Sequence, residues 1–228
     1  MKVLLLAAGF GTRLRPLTNM VPKCLVQIKG KALLDIWLEN LDFYGFGPFI
    51  INTHYLHDQV EKHVQKNGYK DRVVLMYEEE LLGTAGTLLT NMEYFLGESI
   101  LLVHADNYCF PNFSEFKLAH DNRPSGCLIT MMTFRTDTPS NCGVVELDSN
   151  NIVTGFHEKV SSPPGNLANG AIYILSEEFI SVINDDFSNC SDFSTEILPS
   201  FIGKIFTYEH KGVFLDIGTP EAYKKANL

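Results

Sequence analysis

The sequence predicts an α/β protein in which helices cover both faces of a mixed, mostly parallel central sheet, a three-layer α/β/α arrangement. Short apolar runs alternate with helix-period segments through the first half of the chain, which favours parallel strands. From residue 127 onward, strand-like segments follow one another with fewer helices between them, which makes the sheet mixed. The 228 residues, 45% of them apolar, suffice for one sizeable core. No linker, charge run or repeat divides the chain, so we expect a single domain over residues 1–228.

Composition excludes several classes of partner. A formal net charge of −9 argues against nucleic acid or an anionic membrane, since either requires a basic face. The five cysteines are odd in number and lack paired metal-ligand spacing, so free thiols in a reducing compartment are expected. No stretch is long enough to span a membrane. We therefore expect a cytoplasmic protein, and the sequence leaves its oligomeric state open.

The first half of the chain yields strands and helices in alternation. Residues 2–8 are an apolar run bounded by glycine and too short for a helix, which predicts a buried strand. Further strands are predicted at residues 24–28, 49–52, 72–77 and 99–104. Helices are predicted at residues 33–41, 56–65 and 88–95.

In the second half, the predicted strands are residues 127–135, 143–148, 152–158 and 167–175. Residues 192–196 resemble the start of a helix with Ser194 as its cap. Pro220 after Thr219 is typical of the first position of a helix.

A glycine-rich loop after the first strand is the strongest functional signal. Gly9 and Gly11 can take positive φ and leave backbone N–H groups uncovered. Such groups at a strand-to-helix turn bind phosphate. Arg13 and Lys23 add two fixed positive charges. The loop is therefore expected to hold a polyphosphate.

Other phosphate-binding loops fit less well. A dinucleotide fingerprint needs a third glycine where Leu14 stands, and its ribose-binding acid would be Asp35, inside a helix-period segment. A Walker A loop needs Gly-Lys-Ser/Thr where Thr12, Arg13 and Leu14 occur. A turn without a ligand would not require two adjacent cations.

Acidic residues follow several predicted strands, where ligands bind in parallel α/β sheets. Asp106 comes just after a strand too apolar to tolerate an unpaired charge, and Asp216 likewise follows apolar residues. The three acids that begin at Glu78 could simply complement the dipole of the following helix. That role would not require the glycines that follow them, Gly83 and Gly86. Glu158 and Lys159 end another strand, and spacing alone slightly favours a surface ion pair.

Residues 6–18, together with Pro22 to Leu25 and with Gly30 and Lys31, resemble the sugar-1-phosphate nucleotidylyltransferases. This family includes thymidylyltransferases and mannose-1-phosphate guanylyltransferases, and the resemblance runs from Lys2 to Tyr223 through five motifs in order. It implies a Rossmann-like fold of the nucleotide-diphospho-sugar transferase type. It also implies transfer of a nucleotidyl group from a nucleoside triphosphate to a sugar 1-phosphate, with release of pyrophosphate and dependence on Mg²⁺.

The resemblance assigns roles residue by residue. It implies catalytic roles for Arg13 on the β- and γ-phosphates, for Lys23 near the reacting phosphorus, and for Asp106 and Asp216 as Mg²⁺ ligands. The nucleotide-binding residues are Leu6, Ala8, Gly9, Gly11, Thr12, Arg13, Lys23, Glu78, Gly83 and Thr84. The acceptor-binding residues are Gly143, Glu158, Lys159 and Asn169.

Two positions depart from the family pattern. Ala105 replaces the glycine that precedes the metal-binding aspartate. Gly170 and Ala171 reverse the family's Ala-Gly order after Asn169. The aspartate and the asparagine are both kept, so their roles stay expected, with the backbone after Asn169 left undetermined.

Glu78 is the residue that bears on the identity of the base. Family members that use uracil or thymine tend to carry glutamine at this position, whereas a carboxylate can only accept hydrogen bonds. Guanine offers two adjacent donors that match two carboxylate oxygens, so GTP is the expected donor. UTP, dTTP or CTP remain alternatives. A non-catalytic nucleotide-sugar sensor is the alternative class, and the missing third glycine disfavours a nicotinamide-dependent oxidoreductase.

Overall fold

The computed structural model of the chain describes residues 1–183 and 187–228. These residues form two compact units, each assembled from separate stretches of sequence. Unit 1 comprises Met1–Leu81, Val103–Phe110 and Gly212–Leu228, and unit 2 comprises Leu82–Leu102 and Pro111–Lys211. The single domain expected over residues 1–228 stays a prediction.

Unit 1 combines parallel strands with helices. Its strands are β1 (Val3–Leu6), β2 (Gln27–Ile28), β3 (Lys31–Ala32), β4 (Phe49–Thr53), β5 (Val73–Tyr77), the last two residues of β6 (Ile100–His104), β7 (Asn107–Cys109) and β13 (Phe214–Asp216). Its helices are α1 (Leu33–Phe43), α2 (His57–Val64) and α6 (Pro220–Ala226).

Strands β1, β4 and β5 pair in parallel. Every residue of β4 is buried, as expected for a strand covered on both faces. Asn52 near the end of β4 is level with Leu6 of β1 on one side and with Met76 of β5 on the other. The carboxyl ends of these strands therefore share one edge, where the loops that follow them begin.

A short antiparallel pair places two distant acids in one neighbourhood. In the β7–β13 pair, Asp216 is level with Asn107, the residue after Asp106. The Ile217 N–H donates to the Asp106 carbonyl oxygen at 2.9 Å. Trp37 supports this pair from the core, because its indole N–H donates to the Asn107 carbonyl oxygen at 2.8 Å.

Unit 2 holds most of the antiparallel pairs. It contains α3 (Gly83–Thr90), the first three residues of β6, α4 (Phe113–Asp121), β8 (Ile129–Arg135), β9 (Gly143–Leu147), β10 (Val153–Glu158), β11 (Leu167–Leu175), α5 (Glu177–Val182) and β12 (Ile205–His210). Strand β9 pairs antiparallel with β10 and β11, β11 pairs antiparallel with β8, and β8 pairs parallel with β12. The β11–β8 register shifts between Asn169 and Tyr173.

The predicted α/β class with a mixed, mostly parallel central sheet is confirmed. Three local predictions are wrong. Only Gln27–Ile28 of the segment predicted at 24–28 forms a strand, because Lys23–Leu25 forms a 3₁₀ turn. The helix predicted at 88–95 instead ends at Thr90 and is followed by a 3₁₀ turn. Asp192, and not Ser194, caps the helical turn Phe193–Ile197 by accepting from the Thr195 N–H.

The cysteines are all free thiols, and Cys24, Cys109 and Cys127 are buried. Burial raises the pKa of the Cys24 thiol to about 12, so this cysteine is not a thiolate nucleophile at neutral pH. Within the described part of the chain, no helix combines the length and the apolar character needed to cross a bilayer.

Candidate active site

The glycine-rich loop of unit 1 turns at Gly11, which lies at a φ of +61°. A Cβ at this position would lie 3.0 Å from a Thr18 methyl carbon and 3.2 Å from the Lys23 Cβ, so glycine also provides space. The Thr18 hydroxyl donates to the Gly11 carbonyl oxygen at 2.7 Å and holds the turn in place. Gly9 does not have a positive φ, and a Cβ there would meet nothing within 4 Å.

The loop is fixed at its start and then enters a short helical turn. The Leu6 carbonyl oxygen accepts from the Ala105 N–H at 3.1 Å, and Ala8 is buried. Thr12 begins a 3₁₀ turn of three residues rather than an α-helix. An anion bound at this loop would therefore meet the backbone N–H groups of a turn, and not the dipole of a long helix.

A cluster of four charged residues lies in unit 1, and we call it the Lys23 cluster. The Lys23 ammonium lies 2.6 Å from Asp106 Oδ2 and 3.4 Å from Asp216 Oδ1. The Arg13 guanidinium lies 3.5 Å from Asp216 Oδ2. Lys23 is 8% exposed, whereas Arg13 and Asp216 reach solvent. The structure thus brings together all four residues for which sequence predicted catalytic roles.

Gly218 makes room for this cluster. A Cβ at this position would lie 2.8 Å from an Arg13 guanidinium nitrogen and 2.9 Å from Asp216 Oδ2. A side chain here would therefore push the arginine and the aspartate apart.

The Lys23 cluster keeps Asp106 ionised. Burial alone would raise the pKa of Asp106, but the charge of Lys23, then that of His104, and the hydrogen bond from Lys23 together hold that pKa below its ordinary value. Asp106 is therefore a carboxylate at neutral pH, in contact with the Lys23 ammonium.

Glu78 belongs to a second buried cluster in unit 1. Its Oε1 accepts from the Asn52 side-chain amide at 2.8 Å, and the Asn52 Oδ1 accepts from the Ala7 N–H at 2.7 Å. Asn52 is 4% exposed and Glu78 is 5% exposed. Sequence reasoning missed Asn52; one amide directly after the apolar run Phe49 to Ile51 marks the position, but the sequence does not show its partners.

The predicted acceptor residues lie in unit 2, where strands β9 and β10 bring two of them together. Gly143 is level with Glu158, and a Cβ at Gly143 would lie 2.5 Å from Glu158 Oε2. Lys159 takes a left-handed φ of +49°, and its ammonium lies 3.0 Å from Glu158 Oε1. The ion pair that spacing alone favoured therefore exists.

Asn169 lies at the irregular part of β11. Its Oδ1 accepts from the Ala171 N–H at 2.9 Å, and its amide donates to the Tyr173 hydroxyl at 2.6 Å. Burial raises the pKa of Tyr173 above its ordinary value, against the opposing effect of its hydrogen bonds with Asn169 and Ser194. Ala171, where the family pattern has glycine, takes a left-handed φ of +51°.

A sequence model of the nucleotidyl transferase family matches residues 2–228, almost the whole chain. This chain belongs to the nucleotidyl transferase family. The family predicted from the glycine-rich loop is thereby confirmed.

Individual relatives carry several nucleotide specificities in their names. A putative mannose-1-phosphate guanyltransferase of Sulfolobus acidocaldarius is 32% identical over 226 residues, which are 99% of this chain and 62% of that protein. A glucose-1-phosphate adenylyltransferase of Fervidobacterium nodosum is 30% identical over 248 residues, 99% of this chain and 60% of that protein. The chain thus spans about three fifths of the length of these curated relatives.

A solved structure shows the same fold. HddC from Yersinia pseudotuberculosis, in complex with GMP-PN, superposes with a TM-score of 0.82 at 28% identity, over 99% of this chain and 97% of HddC.

The donor set of this nucleotidyl transferase family member suits Mg²⁺. No group of three or more His, Cys, Asp or Glu side chains able to hold a metal occurs in residues 1–183 and 187–228. Mg²⁺ in nucleotide sites commonly uses only one or two carboxylates and completes its shell with phosphate oxygens and water. Asp106 and Asp216, which already share one cation in the Lys23 ammonium, offer that donor set.

Gly83 and Thr84 make a structural contact within unit 2. Gly83 has a φ of +76° and packs directly against the Ser191 backbone, so no side chain fits there. The Thr84 hydroxyl oxygen accepts from the Phe193 N–H at 2.8 Å. These contacts explain both residue types, and the predicted contact of Gly83 and Thr84 with a nucleotide stays a prediction.

Proposed function

We propose that this protein transfers a nucleotidyl group from a nucleoside triphosphate, preferably GTP, to a sugar 1-phosphate and releases pyrophosphate. The observation that carries the proposal is the Lys23 ammonium, held between Asp106 and Asp216 and beside the glycine-rich loop. A turn, two carboxylates and two cations in one place match the requirements of polyphosphate chemistry.

The reaction is one displacement at the α-phosphorus. A phosphate oxygen of the sugar 1-phosphate forms a bond to that phosphorus as the bond to the β-phosphate oxygen breaks. The electron pair of the broken bond leaves on pyrophosphate. The attacking oxygen is already anionic at neutral pH, so the step needs no general base, and the chain's main task is to offset negative charge.

The cations of the Lys23 cluster have distinct tasks in this proposal. Arg13, two-thirds exposed, binds the β- and γ-phosphates that become the leaving group. Lys23, buried and held at a fixed position by two carboxylates, offsets charge that develops near the α-phosphorus. The uncovered N–H groups of the loop bind the remaining phosphate oxygens.

Asp106 and Asp216 would hold Mg²⁺. Bound there, the ion would neutralise phosphate charge and hold the triphosphate in one orientation. Both side chains are carboxylates that contact the Lys23 ammonium, so they already lie around one cation.

The acceptor is assigned to unit 2. The exposed Lys159 ammonium binds the sugar phosphate. Glu158 accepts hydrogen bonds from the sugar hydroxyls, and the Asn169 side chain also contacts the sugar. Two non-glycine residues of this region, Lys159 and Ala171, take left-handed backbone conformations. Such strain is common at binding sites, which supports the assignment.

Glu78 supports guanine as the base. A carboxylate accepts from the N1–H and 2-amino groups of guanine, whereas the carbonyl oxygens of uracil and thymine would face it as acceptors. The Sulfolobus relative named a guanyltransferase and the GMP-PN complex of HddC agree with guanine. Because the Fervidobacterium relative is named an adenylyltransferase, ATP is included among the donors to be tested.

Pyrophosphate release with GTP, UTP, dTTP, CTP and ATP against a panel of sugar 1-phosphates tests the proposal. Loss of a charged hydrogen-bonding pair costs roughly 1.5–3 kcal/mol, so the kcat/KM for GTP should exceed that for UTP by about ten- to a hundredfold. A different preferred triphosphate would refute the base assignment alone. No release with any pair would refute the reaction.

A further inference from the structure

Asn52, Glu78 and the Ala7 backbone form a chain of hydrogen bonds whose direction is fixed. The Ala7 N–H can only donate, so the side-chain atom of Asn52 that it contacts must be the amide oxygen. The amide nitrogen of Asn52 then faces Glu78 and must donate to Oε1 at 2.8 Å. Glu78 therefore has to present an acceptor to Asn52.

The surroundings hold this chain in one geometry. Asn52 lies in β4 between β1 and β5, level with Leu6 and Met76. The Glu78 backbone is bound on both sides, since its N–H donates to the Thr53 carbonyl oxygen and its carbonyl oxygen contacts His54 Nδ1, each at 2.8 Å. Asn52 and Glu78 are only 4% and 5% exposed, and an unmatched polar contact is costly in such a buried place.

We infer that Asn52 is a positioning residue for base selection, which sets the hydrogen-bonding character that the side chain at position 78 shows to the nucleotide base. This inference rests on the proposed function, in which Glu78 faces the base. With glutamate, both carboxylate oxygens are acceptors, so Oε1 can bind Asn52 while the carboxylate still accepts from guanine. With glutamine, the oxygen would be directed to Asn52, and the amide nitrogen, a donor, would face the base.

The direction of the chain can be reversed with two isosteric changes. In N52D, the aspartate still accepts from the Ala7 N–H but can no longer donate to Glu78, so two acceptors face each other. In the double variant N52D/E78Q, the glutamine donates to the aspartate and turns its own oxygen toward the base. The pair keeps one negative charge, the bond from the Ala7 N–H and one bond between the two side chains, so the fold is expected to persist.

The measurement is the ratio of kcat/KM for GTP to that for UTP with one sugar 1-phosphate. We expect E78Q to lower this ratio at least tenfold, because a donor then faces the guanine donors. We expect N52D/E78Q to raise the ratio at least threefold above that of E78Q, since an acceptor again faces the base. A residue that only stabilised the fold would lower activity with both nucleotides and would not reverse selectivity.

N91D is the matched control. Asn91 is equally buried and donates to the Thr87 carbonyl oxygen at 2.8 Å, outside any residue assigned to the site. Its replacement should lower the melting temperature without changing the ratio of the two nucleotides.

Each result decides the inference. A double variant with no higher ratio than E78Q would overturn the role of Asn52. Unchanged selectivity in E78Q would refute the contact of Glu78 with the base in the proposed function, and the inference with it. If the unaltered protein releases no pyrophosphate, the proposed reaction fails on its own. The inference is then measured by calorimetric binding of GDP and UDP to the same variants, where the same reversal supports it and its lack overturns it.

Discussion

At the scale of single residues, the Lys23 ammonium serves as a counter-ion for Asp106 and Asp216 at once. Removing either carboxylate should therefore affect both the lysine and the Mg²⁺ proposed to bind there. Asp216→Asn is the cleaner variant, because Lys23 keeps its closer contact with Asp106 at 2.6 Å.

We expect Asp216→Asn and Asp106→Asn to lower kcat by more than about a hundredfold, since several kcal/mol of charge stabilisation depend on the metal. Steady-state kinetics measures the loss, and circular dichroism checks the fold. Asp121→Asn is the control, because Asp121 is ion-paired with Lys117 on an exposed helix face. Near-normal activity of Asp216→Asn would remove this residue from the site.

Ala171 yields a prediction of stability. An L-residue in the left-handed region costs about 1–2 kcal/mol, and glycine relieves this strain at an entropic cost of roughly 0.5–1 kcal/mol. Ala171, at a φ of +51°, should therefore gain about 0.5–1 kcal/mol of unfolding free energy when replaced by glycine. Urea denaturation measures it.

Ala168→Gly in the same strand is the control with the opposite sign. Ala168 is fully buried and does not have a positive φ, so glycine there should only destabilise. Equal losses from the two changes would show that Ala171 is unstrained.

Single residues with a conspicuous chemical type were predictable from sequence. Arg13, Lys23, Asp106 and Asp216 are charged residues next to apolar strands or glycines, and the structure places them together. Asn52 was not found, because its role depends on the alignment of β1 with β4, which no local pattern shows.

At the scale of elements, helix α4 packs on strand β8 through a buried histidine. His120 is 2% exposed, and its Nδ1 lies 2.8 Å from the Thr130 hydroxyl. Burial, with the nearby charge of Arg123, lowers the pKa of His120 to about 4. The imidazole is therefore neutral in the folded protein at pH 7.

This shift predicts loss of stability in acid. The unfolded chain binds a proton near pH 6.5 and the folded chain only near pH 4, so stability present above pH 6.5 declines as the pH falls toward 4. The decline due to His120 should reach up to about 3 kcal/mol. His120→Gln can still bond Thr130 but cannot titrate, so its urea-unfolding free energy should fall less over this range. Parallel curves for the two proteins would contradict the prediction.

Elements were predictable where local pattern and tertiary packing agree. Strand β11 coincides with the prediction, and the buried strand β4 differs from it by one residue, because their apolar runs are bounded by turn-forming residues. The strand predicted at residues 24–28 is present only at Gln27–Ile28, since Lys23–Leu25 is held in a 3₁₀ turn that brings Lys23 to the aspartates. Helix α4 and strand β12 were not anticipated, because their mixed polar and apolar residues give a weak period.

At the scale of the whole molecule, the residues proposed for the two substrates belong to different units. Arg13, Lys23 and Glu78 lie in unit 1, whereas Lys159 and Asn169 lie in unit 2. The sequence predicted the fold class, but not this division, because each unit combines segments that are far apart in the chain.

The division predicts opposite kinetic effects from two changes of the same kind. Arg13→Ala should raise the KM for the triphosphate, and Lys159→Ala the KM for the sugar 1-phosphate, each by about ten- to a hundredfold, as expected for loss of a charged hydrogen bond. The KM for the other substrate should change far less in each variant. Arg135→Ala and Lys117→Ala remove exposed cations paired with Glu209 and Asp121, so they control for loss of charge alone. Equal effects on both substrates from each site variant would refute the assignment of one substrate to each unit.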